Sequence, residues 1–169
     1  MLVSFWMTQR LTREINTLEK QMMDKQIELT NYQKYANMLG SSSIINAGNI
    51  AGLSSGLIPR ASLFAQYSNQ ASTMSAMQNV QQMKMMGMIP MLQNPMMQQQ
   101  YEMSAFNNFK QQALKALKQQ EAAILNEKEK EIQLELNQMQ MKLKEKQALL
   151  ETYKEHANKR IEDFVPQFS

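Results

Sequence analysis

The sequence predicts an all-α protein, a long antiparallel helical hairpin or coiled coil with one very long C-terminal helix. Two stretches, 4–39 and 97–164, repeat apolar residues at spacings of three and four positions. The second contains no Gly and no Pro and consists mostly of strong helix formers. Aromatic residues make up only 7% of the 169 residues, which favours an extended helical assembly over a thick globular core.

The first helix, predicted over 4–39, carries an apolar seam with a heptad pattern of about four repeats. Lys25 is the charged residue that interrupts this pattern. Gly40 and the serines that follow it are expected to end the helix. We predict that the seam mediates self-association through Leu11, Ile15, Leu18, Met22, Leu29 and Tyr32.

The last helix is predicted over 97–164, and its stretch from Tyr101 to Phe164 alone would be on the order of 95 Å long at about 1.5 Å per residue. A single-domain core cannot surround a helix of that length. It therefore has to lie against other long helices, either of its own chain or of further copies. Its predicted self-association seam consists of Leu136, Met139, Leu143, Leu150 and Tyr153.

Lys25 and Lys146, which lie in the two seams, favour an antiparallel arrangement of these helices. In a parallel, in-register pair the two lysines would face each other, placing like charges in a partly desolvated layer. An antiparallel pair with Lys25 opposite Leu143 and Met22 opposite Lys146 lets each lysine stem cover apolar surface while its ammonium reaches water. We therefore expect the antiparallel pair in that register.

The segment 40–60 is a nearly uncharged, Gly/Ser-rich break between helices. Gly48, Gly52 and Gly56 stand four residues apart, and on a helix they would form a close-packing ridge that admits another backbone. An irregular linker is the alternative, favoured by the surrounding Ser and Asn residues and by Pro59. Membrane insertion of this segment is a third interpretation.

A further amphipathic helix is predicted over 61–86, with an apolar stripe on one face and Gln, Ser and Asn on the other. The stripe consists of Leu63, Tyr67, Ala71, Met74, Met77 and Val80.

A Met/Pro-rich turn is predicted over 87–96, where Gly87, Pro90 and Pro95 end the helix and turn the chain. Methionine side chains are flexible and polarizable, so an exposed group of them can contact varied apolar partners. A tip that packs on itself or on a neighbouring copy is the alternative. The candidate apolar binding tip consists of Met85, Met86, Met88 and Met91.

No catalytic, cofactor-binding or metal site is expected from the sequence. Cysteine is absent, and the single histidine, His156, lies on a charged helical stretch. Glu127, Glu129 and Glu131 alternate with lysines, as on a solvated helix surface. The chain has no phosphate-binding glycine loop and no nucleophile beside a base, so we do not expect an enzyme.

The net charge of +3 does not predict a nucleic-acid partner, because Arg60 and Lys84 are isolated cations rather than a phosphate-tracking patch. The apolar stretch at 1–7 is too short for a signal peptide, and no long apolar run predicts a membrane span. Two compartments stay open: the cytoplasm, or the exterior by a route independent of a signal peptide.

These features predict a non-enzymatic structural protein that self-associates through long helices. It would be a subunit of a filament, a sheath or a coiled-coil scaffold in a larger machine. A homo-oligomer is expected, with other coiled-coil proteins as further candidate partners. Two alternatives stay open: a chaperone-like module that binds apolar segments with the methionine-rich tip, and a membrane-active, translocator-like protein.

Overall fold

The computed structural model describes residues 2–40, 50–89 and 94–164, and the side chains of 5–40, 50–89 and 94–159. These ranges contain α1 (Leu2–Gly40), α2 (Ile58–Met85) and α3 (Pro95–Phe164), and no β-strand. α3 is 70 residues long and packs against both other helices. The predicted all-α fold with one very long C-terminal helix is therefore confirmed.

α2 begins three residues and α3 two residues earlier than predicted, and a proline lies in the first turn of each. Pro59 follows the first residue of α2, and Pro95 is the first residue of α3. A helix N-terminus tolerates proline, since the N–H that proline lacks would have no partner there. The side-chain Oδ1 of Asn94 accepts a hydrogen bond from the backbone N–H of Met96 at 3.0 Å and caps α3.

The chain divides into two compact units, and the long helices contribute a segment to each. Unit 1 consists of Met1–Thr30 and Glu129–Ser169, and unit 2 of Asn31–Lys128. Each unit has its own buried side chains and its own ion pairs, and each is described separately below.

In unit 1, the first part of α1 and the last part of α3 run antiparallel. Lys25 Nζ lies 2.8 Å from Glu135 Oε2, and the Lys146 ammonium forms an ion pair with Glu14. The earlier residue of one helix thus meets the later residue of the other, as the seam lysines predict. The side chains buried in this unit are Leu11, Ile15, Ile132 and Leu136.

The predicted register of this antiparallel pair is wrong, since the Lys25 ammonium contacts Glu135 rather than lying opposite Leu143. The prediction let each seam lysine cover apolar surface and reach water. In the observed register, Lys25 and Lys146 are each about two-thirds buried, and each ammonium meets a carboxylate of the other helix. A partly desolvated ammonium gains more from a carboxylate at hydrogen-bonding distance than from an apolar neighbour.

In unit 2, the end of α1, the turn before α2 and the middle of α3 form a common core. The turn is closed by backbone hydrogen bonds from Leu53 N to Ile50 O and from Leu57 N to Ser54 O. Both leucines thereby point into the core beside Leu125, which is fully buried. The buried residues of this cluster are Tyr35, Leu39, Leu53, Leu57, Ala61 and Leu125.

α2 buries a face of small side chains, and most of the predicted apolar stripe points outward instead. Ala61, Ser68, Ser72, Ala76 and Val80 are buried on α2. Small residues let two helix backbones approach closely, which improves packing along the whole contact. The stripe residues left exposed are Leu63, Tyr67, Met74 and Met77.

The buried serines of this face cost little, because their hydroxyl groups are satisfied within α2. Ser68 Oγ donates a hydrogen bond to the carbonyl of Ala65 at 3.3 Å, and Ser72 Oγ donates one to the carbonyl of Asn69 at 3.1 Å. A hydroxyl that bonds to the preceding helical turn can be buried without an unsatisfied donor.

The end of α2 is set by Gly87, which has a φ of 67°. The N–H of Met88 bonds to the carbonyl of Met83 at 2.9 Å, while the N–H of Met86 bonds to that of Gln82 at 3.0 Å. Many helices end with a glycine in the left-handed backbone conformation, followed by a backbone hydrogen bond that spans the last turn. A side chain at this position would be strained. The predicted end of the helix at Gly87 is therefore confirmed.

Candidate functional site

The predicted self-association seam is largely covered by the chain itself. Leu11, Ile15 and Leu136 are buried. None of the remaining seam residues is exposed. The partly buried seam residues are Leu18, Met22, Leu29, Tyr32, Met139, Leu143, Leu150 and Tyr153.

Ion pairs flank the seam in unit 1 and hold its register. Hydrogen bonds from Lys146 and Arg10 lower the pKa of the Glu14 carboxyl. Hydrogen bonds to Glu135 and Glu28 raise the pKa of Lys25. These groups are in contact with solvent, so their main effect is to discriminate between registers rather than to add much stability.

In unit 2, Glu121 accepts two hydrogen bonds and joins all three helices. Arg60 Nε on α2 lies 2.7 Å from Glu121 Oε1 on α3, and Tyr35 Oη on α1 donates to the same oxygen at 3.3 Å. The Glu121 side chain is only 12% exposed. Burial, followed by the nearby negative charge of Glu121, raises the pKa of Tyr35, so the phenol stays a hydrogen-bond donor.

The second cation of α2, Lys84, is neutralised in the same way near the end of the helix. Its Nζ lies 2.7 Å from Oε2 of Glu102 on α3. Hydrogen bonds from Lys84 and Gln98 lower the pKa of the Glu102 carboxyl. Both cations of α2 therefore have a carboxylate partner on α3.

We call the exposed apolar face of α2 the outer stripe; it consists of Leu63, Tyr67, Met74 and Met77. These side chains are exposed by 67%, 63%, 57% and 54%, respectively. Sequence reasoning found the stripe but not its direction. The spacing of the small residues at 61, 65, 68, 72 and 76 was the signal for the inward face, since it also follows a helical period.

The candidate methionine-rich tip is exposed in the part that the structure describes. Met85 is 82% exposed, and Met86 and Met88 are more than half exposed. Met91 lies outside the described residues. Met96 and Met97, at the start of α3, are also exposed, and sequence reasoning missed them. They are further exposed methionines a few residues later in the chain.

The predicted glycine ridge is not formed on a helix at Gly52 and Gly56, which lie in the turns before α2. A Cβ added at Gly56 would meet no atom within 4 Å, so nothing in the described chain packs closely there. Gly48 lies outside the described residues. The irregular-linker interpretation agrees with the structure over 51–57.

Two other kinds of site are absent from the described ranges. No group of three or more His, Asp or Glu side chains there is placed to hold a metal ion. No described helix has an apolar stretch long enough to cross a membrane.

The candidate functional surfaces are therefore the outer stripe and the methionine-rich tip, both of which belong to unit 2. No protein-family model matches the sequence, and no characterised protein or solved structure shows significant similarity to it.

Proposed function

We propose that the protein is a non-enzymatic assembly subunit that associates with further copies of itself through its helices. One observation carries the proposal: four large apolar side chains share one uncharged face of α2, and more than half of each is exposed. Apolar patches of this kind, at a scale of a few hundred Å², are typical of interaction surfaces.

Exposed apolar side chains on the other helices extend the argument from a pair of chains to a larger assembly. Met23 and Ile27 are more than half exposed on α1, as are Leu134 and Met141 on α3. A subunit with more than one apolar surface can use each in a different contact, and contacts that do not close into a ring produce filaments or layers. A filament, sheath or scaffold subunit fits this distribution.

The test is the concentration dependence of the assembly state of the full chain. Sedimentation velocity across a range from about 0.1 to 100 μM, a span that covers interfaces of modest affinity, should show larger species at higher concentration. Negative-stain micrographs of the same samples should show repeating particles or fibres. A single monomeric species throughout this range would refute the proposal.

A chaperone-like module that binds apolar segments is a second candidate, favoured by the exposure of Met85, Met86 and Met88. Unbranched, polarizable side chains adapt to apolar partners of varied shape. Replacing these three methionines and Met91 by Ser should abolish binding of an unfolded apolar peptide and leave assembly intact if this candidate is correct.

The matched control replaces exposed methionines outside the tip, Met23 and Met141, which are 64% and 65% exposed. Loss of peptide binding only in the tip variant supports the binding module. Equal binding by the tip variant, the control variant and the unmodified chain rules it out.

A further inference from the structure

We propose that the outer stripe of α2 docks against the same stripe of a second copy of this chain. The two α2 helices run antiparallel, with Leu63 of one opposite Met74 of the other. This inference rests on the proposed self-association and identifies the surface and the register that mediate it.

The first support is the spacing of the outer stripe, which follows a coiled-coil seam. With the exposed Gln70 included, the positions 63, 67, 70, 74 and 77 are separated by four, three, four and three residues. This alternation keeps one face of a helix against a partner helix. A single polar residue within such a seam restricts the register in which two helices pair, and Gln70 occupies that place.

The second support is charge. Arg60 and Lys84 are the only charged residues of α2, and Glu121 and Glu102 of the same chain pair with them. An acidic polymer or an anionic bilayer would therefore find no unpaired cation along α2. A second copy presents the same uncharged apolar surface, so two stripes can meet without burying an unpaired charge.

The third support is that one antiparallel register matches the side chains and its neighbour does not. With Leu63 opposite Met74, Tyr67 lies opposite Gln70 and Met77 lies opposite Arg60, whose guanidinium is paired with Glu121 of its own chain. Two-fold symmetry makes each of these contacts twice. The phenol and the amide can then exchange a hydrogen bond at the centre of the contact.

Displacing the helices by one heptad brings Leu63 opposite the polar Gln81 and Gln70 opposite Met74. Both pairs would place an amide against an apolar side chain, and a desolvated amide without a hydrogen-bond partner costs free energy. The same sequence thus favours the first register and disfavours the second.

The area is sufficient for a specific but weak contact. Four large side chains on each copy, each more than half exposed, supply roughly 1,000 Å² in total, which reaches the lower bound for a biological interface. We therefore expect a dissociation constant in the micromolar range, on the order of 1 to 100 μM, and a pairing that further contacts strengthen in an assembly.

Disulfide cross-linking tests the register directly, because the chain contains no cysteine. A Leu63→Cys chain and a Met74→Cys chain, carrying tags of different size, are mixed above the association concentration and oxidised. We expect a mixed dimer as the main product. The register control mixes Leu63→Cys with Gln81→Cys, and the surface control mixes Met23→Cys with Met141→Cys.

Charge substitution gives a second readout that does not depend on disulfide geometry. Leu63→Glu places a carboxylate in the contact and should weaken association at least about tenfold, the effect of about 1.4 kcal/mol. Adding Met74→Lys in the same chain places opposite charges across each contact and should restore association. Circular dichroism checks that all variants keep the helix content of the unmodified chain.

Mixed dimers of Leu63→Cys with Met74→Cys, together with rescue by the double charge variant, would support the inference. It is overturned by cross-linking of Leu63→Cys with itself, which indicates parallel helices, by an equal yield in either control, or by association that Leu63→Glu does not weaken. If assembly persists without any of the expected cross-links, the register fails and the proposed function stands. If no assembly occurs, both fail.

Discussion

The direction in which α2 faces can be tested by adding volume to its buried side. Ala76 is fully buried on α2, between the buried Ser72 and Val80, whereas the adjacent Met77 is 54% exposed. Replacing Ala76 by Leu adds three carbon atoms at a position that has no exposed surface. If the stripe predicted from the sequence were the packed face, a substitution at Met77 would destabilise the protein more than one at Ala76.

The expected cost of Ala76→Leu is about 1–3 kcal/mol, the usual penalty for overpacking a close helix contact. For a chain of this length, a change of 1 kcal/mol shifts the midpoint of thermal unfolding by roughly 2–4 °C. The midpoint should therefore fall by roughly 2–12 °C. Met77→Ala should cost less than about 1 kcal/mol, because more than half of that side chain already contacts water.

The assay is thermal unfolding followed by circular dichroism at 222 nm, a wavelength at which helix is detected. Samples are kept well below micromolar concentration, so that association through the outer stripe does not add to stability. Met77→Leu serves as the control, since it changes shape at nearly constant volume on the exposed side. A loss of stability in Met77→Ala that equals or exceeds the loss in Ala76→Leu would refute the assignment of the buried face.

Three further predictions concern the core and the charged groups. Leu125→Ala should lower the free energy of unfolding, measured in urea, by about 2–5 kcal/mol because it empties a fully buried site. Leu134→Ala, at a 62% exposed position of the same helix, should change it by less than about 0.5 kcal/mol. Equal effects of the two substitutions would contradict the described core. Glu121→Gln should lower the free energy of unfolding by about 1–3 kcal/mol, since it weakens the ion pair with Arg60 and the hydrogen bond from Tyr35. A double-mutant cycle with Arg60→Gln should show coupling between the two residues. Additive effects would indicate that the ion pair is not formed. The pKa values of Glu14 and Glu102 are lowered from 4.5 in the folded chain. The two carboxylates therefore stabilise the fold above pH 4.5, and this stabilisation is lost as the pH falls through their folded pKa values. Urea unfolding at successive pH values should show the loss of stability in acid, and the double variant Glu14→Gln/Glu102→Gln should show a smaller loss.

Local sequence signals were sufficient to predict the helices and their direction. Strong helix formers without Gly or Pro predict α3, and Gly87 predicts the end of α2, because both signals act through the backbone within a few residues. The antiparallel direction of α1 and α3 also followed from the sequence. Like charges at Lys25 and Lys146 oppose the parallel arrangement in the register that aligns the two seams.

The register of α1 against α3 and the packed face of α2 were predicted incorrectly. In each case the sequence offers two arrangements of similar hydrophobicity. The observed and predicted registers differ in whether Lys25 meets Glu135 or Leu143. Likewise, α2 has two faces that can pack. The face of small side chains around Ala76 and Ser72 is buried, and Met74 and Met77 are exposed.

The sequence by itself determined the all-α fold, the long C-terminal helix, the helix ends near Gly87 and the opposed direction of the two long helices. These properties depend on backbone propensity and on the sign of nearby charges. Only the tertiary structure decided that Glu121 joins Arg60 and Tyr35, that Lys25 meets Glu135, and that Leu63, Tyr67, Met74 and Met77 lie on the surface. Those outcomes depend on how closely particular side chains let helices approach, a property of the packed pair rather than of either helix alone.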